Sequence, residues 1–271
     1  MKRVGILYHP KIPAAKAFAE EMAGFLPSLD ASVWLCSAWD EERARAQVNG
    51  TELILSVGGD GTILRAARAV VPQSIPIVGI NLGRLGFMTE LSAEEARDKL
   101  PALLAGEGWV DERAMLQAEF SGKGPFHALN DVVLGRGAIS RVIYVETTID
   151  GAPLNTYKAD GLILATATGS TGYSLAAGGP ILYPQSREVL INPISPHLTF
   201  ASAVVLPPTA IIELKLYTDH QAMLSLDGQI DMALESGDTI RVKLSPHVAR
   251  FLRVQPLTFF YSILVERLVP K

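Results

Sequence analysis

One cysteine, Cys36, stands among 271 residues. A disulfide framework and a cysteine-ligated metal cluster are therefore excluded, and a reducing compartment fits. Charge of one sign is also scarce. The 24 Lys and Arg against 28 Asp and Glu leave a formal net charge of −4 and a pI near 5.8. That balance lacks the clustered basic face expected of a nucleic-acid binder. The longest uncharged run, residues 161–186, is interrupted by Gly, Ser, Thr and Pro, which makes it a poor membrane-spanning helix. Behind Met1-Lys2-Arg3 only a short apolar run precedes Pro10, too short for a signal peptide and better read as a first strand. A soluble, cytoplasmic protein without nucleic-acid or membrane partners is expected. Two phosphate-binding fingerprints are missing as well: there is no G-x-G-x-x-G and no G-x-x-x-x-G-K-[ST]. The five histidines, at 9, 127, 197, 220 and 247, show no metal-ligand spacing.

The chain is 48% hydrophobic, enough for a packed core in two modest domains or one large one. Strand-like runs alternate with helix-like segments over the first hundred residues. "RVGILYH", "ASVWLC", "ELILSV" and "IPIVGI" read as strands; "AAKAFAEEMAGFL", "DEERARAQV" and "TILRAARAVV" read as helices. Ser92-Ala93-Glu94-Glu95 is a capping box that opens a further helix towards Leu104. This alternation predicts a parallel, Rossmann-like sheet covered by helices. After about residue 108 come short alternating segments separated by turns such as "IDGAP" and "ESGDT", which predict an antiparallel β-sandwich. The expected organisation is an α/β domain over 1–108 and a β-sandwich domain over 109–252. A helical tail over 253–271 is expected to dock on the first domain.

The stretch "LSVGGDGTIL", residues 55–64, runs from strand through Gly58-Gly59-Asp60-Gly61-Thr62 into helix. In an open α/β sheet such a turn lies at the carboxyl end of a strand, where ligands bind. Gly58, Gly59 and Gly61 let backbone approach a ligand, and Thr62 lies at a helix N-terminus that attracts anions. An aspartate is out of place in a loop built only for phosphate. It makes sense if Asp60 accepts the proton of an attacking hydroxyl or holds a magnesium ion bridging phosphate oxygens. The plain alternative is that Asp60 only caps the following helix. Lys11, Arg65, Arg84 and Lys158 are candidate cations for offsetting phosphate charge, while Trp34, Trp39 and Trp109 read as packing residues.

A second constellation, "KADGLILATATGSTGYSLAAGGPIL" from Lys158 to Leu182, ends a strand in a turn dense with hydroxyls and glycine. The two motifs together resemble the NAD kinases. Matching pieces are Gly58 to Thr62, "NLGRLGFMTE" at 81–90, "LNDVVL" at 129–134 and Asp160-Gly161. Thr166 to Tyr173, Gly178-Gly179-Pro180, "NPISPH" at 192–197 and "SLDGQ" at 225–229 follow in order.

The resemblance implies phosphoryl transfer from ATP or polyphosphate to the 2′-hydroxyl of the adenosine ribose of NAD, giving NADP, in a cleft between an α/β and a β-sandwich domain. It implies magnesium or another divalent metal brought with the donor, Asp60 being the one protein candidate for contacting it, and a homodimer or homotetramer. Asp60 is the implied general base or metal-linked carboxylate, with Gly58, Gly59, Gly61 and Thr62 on phosphates. Asn130 and Asp131 would hold ribose or amide groups, and Asp160 ribose or nicotinamide atoms. Thr168, Thr171, Gly172 and Tyr173 would line the dinucleotide site, with Lys158 and Gln229 as further contacts. Asp227-Gly228-Gln229 reads first as a hairpin turn. Two positions depart from the family pattern: Asp131 is one methylene shorter than the usual glutamate, and Ala176 replaces a serine found in many relatives. A lipid or sugar kinase sharing the GGDGT turn, and a non-catalytic NAD or NADP sensor, are the competing functions.

Overall fold

A computed structural model describes residues 2–83, 86–137, 141–197 and 201–268. The chain divides into two compact units, Met1–Glu112 with Ala249–Lys271, and Arg113–Val248.

The first unit begins with β1 (Lys2–Tyr8), α1 (Pro13–Phe25), β2 (Ala31–Ser37), α2 (Glu41–Gln47), β3 (Leu53–Val57), α3 (Asp60–Val70) and β4 (Ile77–Asn81). A two-residue β5 (Leu91–Ser92) and α4 (Ala93–Leu104) follow. The four main strands are parallel in the order β2-β1-β3-β4. Every residue of β3 and β4 is buried, as a sheet covered on both faces requires. Ala15, Ala19 and Met22 of α1 share one apolar cluster with Leu100 and Leu103 of α4 and with Ile6, Leu55 and Ile80 of the strands. Gly79 has no room for a side chain, because Ile63 of α3 packs directly over it. The expected capping box is present: Ser92 accepts from the Glu95 N–H at 3.2 Å and the Glu95 carboxylate accepts from the Ser92 N–H at 3.0 Å. The order places a switch point between β1 and β3, since the chain leaves β1 towards β2 on one side and β3 lies on the other. Crevices of this kind, outside the carboxyl ends of the strands, take ligands.

The second unit is built from β6 (Trp109–Phe120), whose first residues belong to the first unit, followed by β7 (Lys123–Ala128), β8 (Asp131–Arg136), β9 (Ile143–Ile149), β10 (Ala152–Ala159) and β11 (Gly161–Ala165). A one-turn α5 (Tyr173–Ala176) separates these from β12 (Val189–Ile194), β13 (Val204–Leu206), β14 (Ile212–Tyr217), β15 (Ala222–Leu226), β16 (Ile230–Leu234) and β17 (Thr239–Arg253). One antiparallel sheet runs β13-β12-β11-β8-β15-β16, and a second set runs β10-β9-β14-β17. Inward residues of both, among them Leu134, Leu164 and Leu224 against Val145, Tyr157 and Ile212, form one core. This is the expected sandwich. Strands β7, β10, β12, β13 and β16 go beyond the segments whose alternation marked them. Four of them are edge strands or pair on one side, and β12 carries Pro193, so pairing partners rather than local propensity create them. The tail forms α6 (Phe259–Leu268), with Ile263 buried.

Candidate active site

The glycine turn joins β3 to α3 at the switch point. The Gly58 N–H donates to the Ile80 carbonyl at 2.9 Å, and the His9 N–H to the Val57 carbonyl at 3.0 Å. Gly58 adopts φ +152°, and a Cβ there would collide with the Thr62 hydroxyl. Thr62 is fully buried beneath the turn, its hydroxyl without a partner, so only its backbone lies in the helix's first turn. Gly59 and Gly61 are exposed, with nothing near the position a side chain would take.

Asp60 does not cap its own helix. Gly59 occupies the N-cap position and no side-chain cap bond forms. The Asp60 carboxylate instead accepts the Phe87 N–H at 2.9 Å and the Met88 N–H at 3.1 Å. Gly86 packs so closely on it that a Cβ would collide with the carboxylate. The Gly86 N–H in turn donates to the Thr89 hydroxyl at 2.7 Å. The half-buried carboxylate is thus fixed in direction, with lone-pair capacity left for a further proton or cation. Arg84, the cation in this segment, lies outside the described residues.

In the second unit, Asn130 and Asp131 form the entry to β8. Their backbone is held from both sides. Asp227, in the β15–β16 hairpin, accepts the N–H groups of Leu129, Asn130 and Asp131 at 2.9, 2.7 and 3.2 Å. Its own N–H donates to the Asp131 carbonyl at 3.0 Å. From the other side, Thr166 donates its hydroxyl to the Leu129 carbonyl at 2.6 Å and its N–H to the Asn130 carbonyl at 2.9 Å. Gly169 lies against the Asn130 backbone, where a Cβ would collide. This clamp leaves the buried Asn130 Oδ1 without a partner. The Asp131 side chain is 6% exposed; burial, and then the Asp227 charge, push its carboxyl up to about 7.

The hydroxyl-rich stretch is arranged differently from what its composition suggests. Ser170 and Thr171 donate to the carbonyls three residues back, at 2.6 and 3.1 Å, the local habit of short hydroxyl side chains. Thr168 is buried and accepts from Arg113 at 3.3 Å. Most of these hydroxyls shape the loop; the group left exposed is Tyr173, at 49%, next to exposed Gly172. Gly179 cannot carry a side chain, since Ser174 and Asn192 crowd it. Asn192 donates to the Ser174 carbonyl at 2.9 Å. Asp160 pairs with Arg136 at 3.0 Å. Lys158 lies on β10 with its ammonium 5.8 Å from the Tyr144 ring centroid. Gln229 sits in the hairpin turn, its N–H donating to the Leu226 carbonyl at 2.9 Å. The turn reading holds: Asp227 and Gly228 take φ +53° and +61°.

The sequence places Asp60, Asn130, Asp131 and the Thr166–Tyr173 turn at these sites. Asp227 entered the sequence reading as a hairpin turn and as part of the matching "SLDGQ"; its hold on the backbone of Leu129, Asn130 and Asp131 is what the structure adds. Trp34 is buried and donates to Thr51 at 2.9 Å, and Trp109 donates to the Gln255 carbonyl at 2.8 Å, both as packing residues. Trp39 differs. It is 37% exposed, with the His9 ring against it at 4.5 Å and Arg65 over it at 4.1 Å.

Both halves of this arrangement have counterparts in known proteins. A model of the ATP-NAD kinase N-terminal domain matches residues 4–108, and one of the ATP-NAD kinase C-terminal domain matches residues 129–254. An NAD kinase of Dehalococcoides mccartyi is 47% identical over 98% of this chain and 96% of its own length. That of Chloroflexus aggregans is 40% identical over 99% of both. Among solved structures, yeast NADH kinase complexed with NADH is similar with a TM-score of 0.88 at 26% identity, over 99% of this chain and 87% of that one. An NAD kinase from Archaeoglobus fulgidus in complex with ATP gives 0.79 at 27% identity over 97% of each. Domain models matching most of the sequence, and relatives of that activity aligned end to end, establish that the chain belongs to the NAD kinase family.

Proposed function

We propose that the protein binds NAD and ATP and transfers the terminal phosphoryl group to the 2′-hydroxyl of the adenosine ribose, giving NADP, with Asp60 as the group that takes the hydroxyl proton. The observation that carries this role is the fixed carboxylate. Two backbone N–H groups aim Asp60 at the end of a parallel sheet, beside a glycine turn open to phosphate and next to a helix N-terminus. Phosphoryl transfer asks the protein mainly for positioning and for electrostatic support. The glycines give the first and the helix terminus part of the second. Asn130 and Asp131, locked by Asp227 and Thr166, would hold the dinucleotide's ribose and amide groups, while Tyr173 offers an exposed ring for stacking.

Among the described residues no three His, Cys, Asp or Glu side chains gather to hold a metal. A single carboxylate fits magnesium of the kind that arrives on a polyphosphate and keeps most of its waters. Asp60 would touch that ion, which when bound would neutralise charge on the donor phosphates. The lone cysteine fits work in a reducing compartment such as the cytoplasm. No helix among the described residues is long and apolar enough to cross a membrane. Exposed Tyr144 and Tyr217, on the adjacent strands β9 and β14, offer an aromatic surface edged by Lys158, Lys215 and Glu146 for a homodimer or homotetramer, which light scattering would count.

The decisive assay mixes purified protein with NAD, a phosphoryl donor and magnesium, and measures NADP. ATP and inorganic polyphosphate are run side by side as donors. Asp60→Asn keeps the shape and one acceptor for the Phe87 and Met88 N–H groups but loses the base. The expected loss in kcat is about 10²- to 10⁴-fold. A rate within twofold of the parent would end the base assignment.

A further inference from the structure

The segment that aims Asp60 is itself held from behind. Met88 gives its N–H to the Asp60 carboxylate at 3.1 Å, and its carbonyl accepts the Arg253 guanidinium at 2.9 Å. Arg253 closes β17, in the stretch from Ala249 onward that belongs to the first unit. The same Nη1 donates to Glu90 at 3.0 Å, and Nε donates to Asp111 at 3.3 Å. The side chains of Arg253, Glu90 and Asp111 are 8%, 3% and 2% exposed. Taking a guanidinium and two carboxylates out of water is expensive, and apolar side chains of similar volume often serve stability as well or better. What charged groups add in such a place is direction.

Holding the C-terminal segment does not by itself call for Arg253. The other Glu90 oxygen accepts the Val254 and Gln255 N–H groups, each at 2.7 Å, and the Trp109 indole donates to the Gln255 carbonyl at 2.8 Å. The bond that Arg253 adds is the one to Met88. Its two Nη1 protons are divided between that carbonyl and Glu90, so Glu90 sets where the guanidinium lies and the guanidinium sets where Met88 lies. The sheet fixes the residues that follow. The Glu90 N–H donates to the Gly79 carbonyl of β4 at 2.8 Å. A Cβ on Gly79 would meet the Thr89 Cα at 3.0 Å and the Met88 carbonyl oxygen at 3.2 Å. Thr89 and Glu90 are thus seated on β4, Met88 is held by Arg253, and Asp60 takes its direction from the Phe87 and Met88 N–H groups.

We propose that Arg253 is a positioning residue for phosphoryl transfer: through Met88 it sets the direction of the Asp60 carboxylate, while Glu90 and Asp111 hold its guanidinium in place. A planar fork serves three acceptors at fixed angles, which a lysine ammonium does not. A catalytic group misplaced by about 1 Å costs on the order of a hundredfold in rate, so a side chain acting only through Met88 has that much to contribute. The last residue of β17 and the turn after β3 then work as one device. The inference rests on the reading of Asp60 as the base, and one arm of its test is independent of that reading.

Steady-state constants for ATP and NAD are measured on the parent, Arg253→Lys, Glu90→Gln, Asp60→Asn and the double variant Asp60→Asn with Arg253→Lys. Hydrogen exchange of the peptide spanning residues 86–90 is followed by mass spectrometry on the same five, with the α4 peptide as internal control. Arg253→Lys keeps the charge and loses the fork. Its kcat should fall about ten- to a hundredfold, with both KM values within about twofold of the parent. Exchange over 86–90 should quicken about tenfold while α4 is unchanged. Glu90→Gln keeps an acceptor for Val254 and Gln255 and breaks the ion pair, so kcat should fall about three- to tenfold. In the Asp60→Asn background, Arg253→Lys should cost no more than about twofold further, because the group it aims is already gone. A purely structural arginine would instead cost the same factor in both backgrounds, and that result would overturn the proposal. So would parent-like kcat and exchange in Arg253→Lys. Should Arg253→Lys fail to fold, the same two readouts on Glu90→Gln decide it. A parent that makes no NADP with ATP or polyphosphate would sink the kinase reading, and the exchange rates alone would then decide whether Arg253 holds the segment that aims Asp60.

Discussion

Asp60 in the α/β unit accepts backbone N–H groups 27 and 28 residues further on, and Asp227 in the β unit accepts three from residues 96 to 98 positions earlier. Both carboxylates use main-chain donors to fasten a loop that local pairing cannot fix. Their settings differ. Asp60 is half-buried at a strand end, with a glycine turn before it. Asp227 is buried in a hairpin and faces Asp131. The first arrangement keeps a carboxylate available for chemistry; the second uses one up to hold a binding loop in shape.

That difference predicts opposite consequences on removal. Asp60→Asn should cost activity with a smaller loss of stability, because the amide keeps one acceptor for the two N–H groups of half-buried Phe87 and buried Met88. Asp227→Ala should unfasten Leu129, Asn130 and Asp131 together. Stranding three N–H groups, two of them buried, should cost roughly 3–6 kcal/mol. Part of that is offset as Asp131 loses a like-charged neighbour. Urea denaturation of the two variants separates the roles. If Asp227→Ala were as stable as the parent, the clamp would be a consequence of the fold rather than a support for it.

The Asp131–Asp227 pair adds a pH dependence. Asp131 moves from an ordinary 3.8 to about 7 in the folded protein. Between those values the native state holds a proton that the unfolded chain has released. Stability therefore falls as pH rises through this window, and the full cost is present above it. Roughly three pKa units at about 1.4 kcal/mol each set an upper bound of about 4 kcal/mol. Asp131→Asn should then be more stable than the parent at pH 8, with the two converging below pH 4. Denaturation at pH 4, 6 and 8 checks the slope, and a parent whose advantage grows with pH would reverse the assignment. Asp227→Asn should shift the slope to lower pH, since it removes the second cause of the shift.

The fold class and most of the α/β elements could be read from spacing alone, because each helix or strand there is set by its own period and its own caps. The Ser92–Glu95 box is the clearest case: four consecutive residues name both partners of both bonds. The clamps could not be read that way. Nothing local marks Phe87 and Met88 as partners of Asp60, or a hairpin aspartate as the holder of Leu129. The hydroxyls of Thr166–Thr171 show the same limit. Side-chain composition announces donors, yet Ser170 and Thr171 give theirs to carbonyls three residues back and Thr166 to the distant Leu129 carbonyl. Trp39 failed to stand out because its platform is assembled from β1, the end of β2 and α3, which meet only at the switch point.

The three glycines of the turn allow the finest division between a residue kept for the fold and one kept for the ligand. Gly58 has φ +152° and lies against Thr62 and His9, so Gly58→Ala should cost about 2 kcal/mol from backbone strain and collision. Thr62→Ala removes a hydroxyl that bonds nothing and also the nearest clashing atom. The double variant should therefore be more stable than the sum of the single effects allows. Gly61 lies in the first turn of α3 with open space where a Cβ would go and no positive φ. Gly61→Ala should leave stability unchanged or raise it by up to about 1 kcal/mol, as alanine favours the helix. If it nevertheless raises the donor KM, the open space above Gly61 is where phosphate lies against the backbone. If both stability and kinetics ignore it, close approach belongs to Gly59 alone.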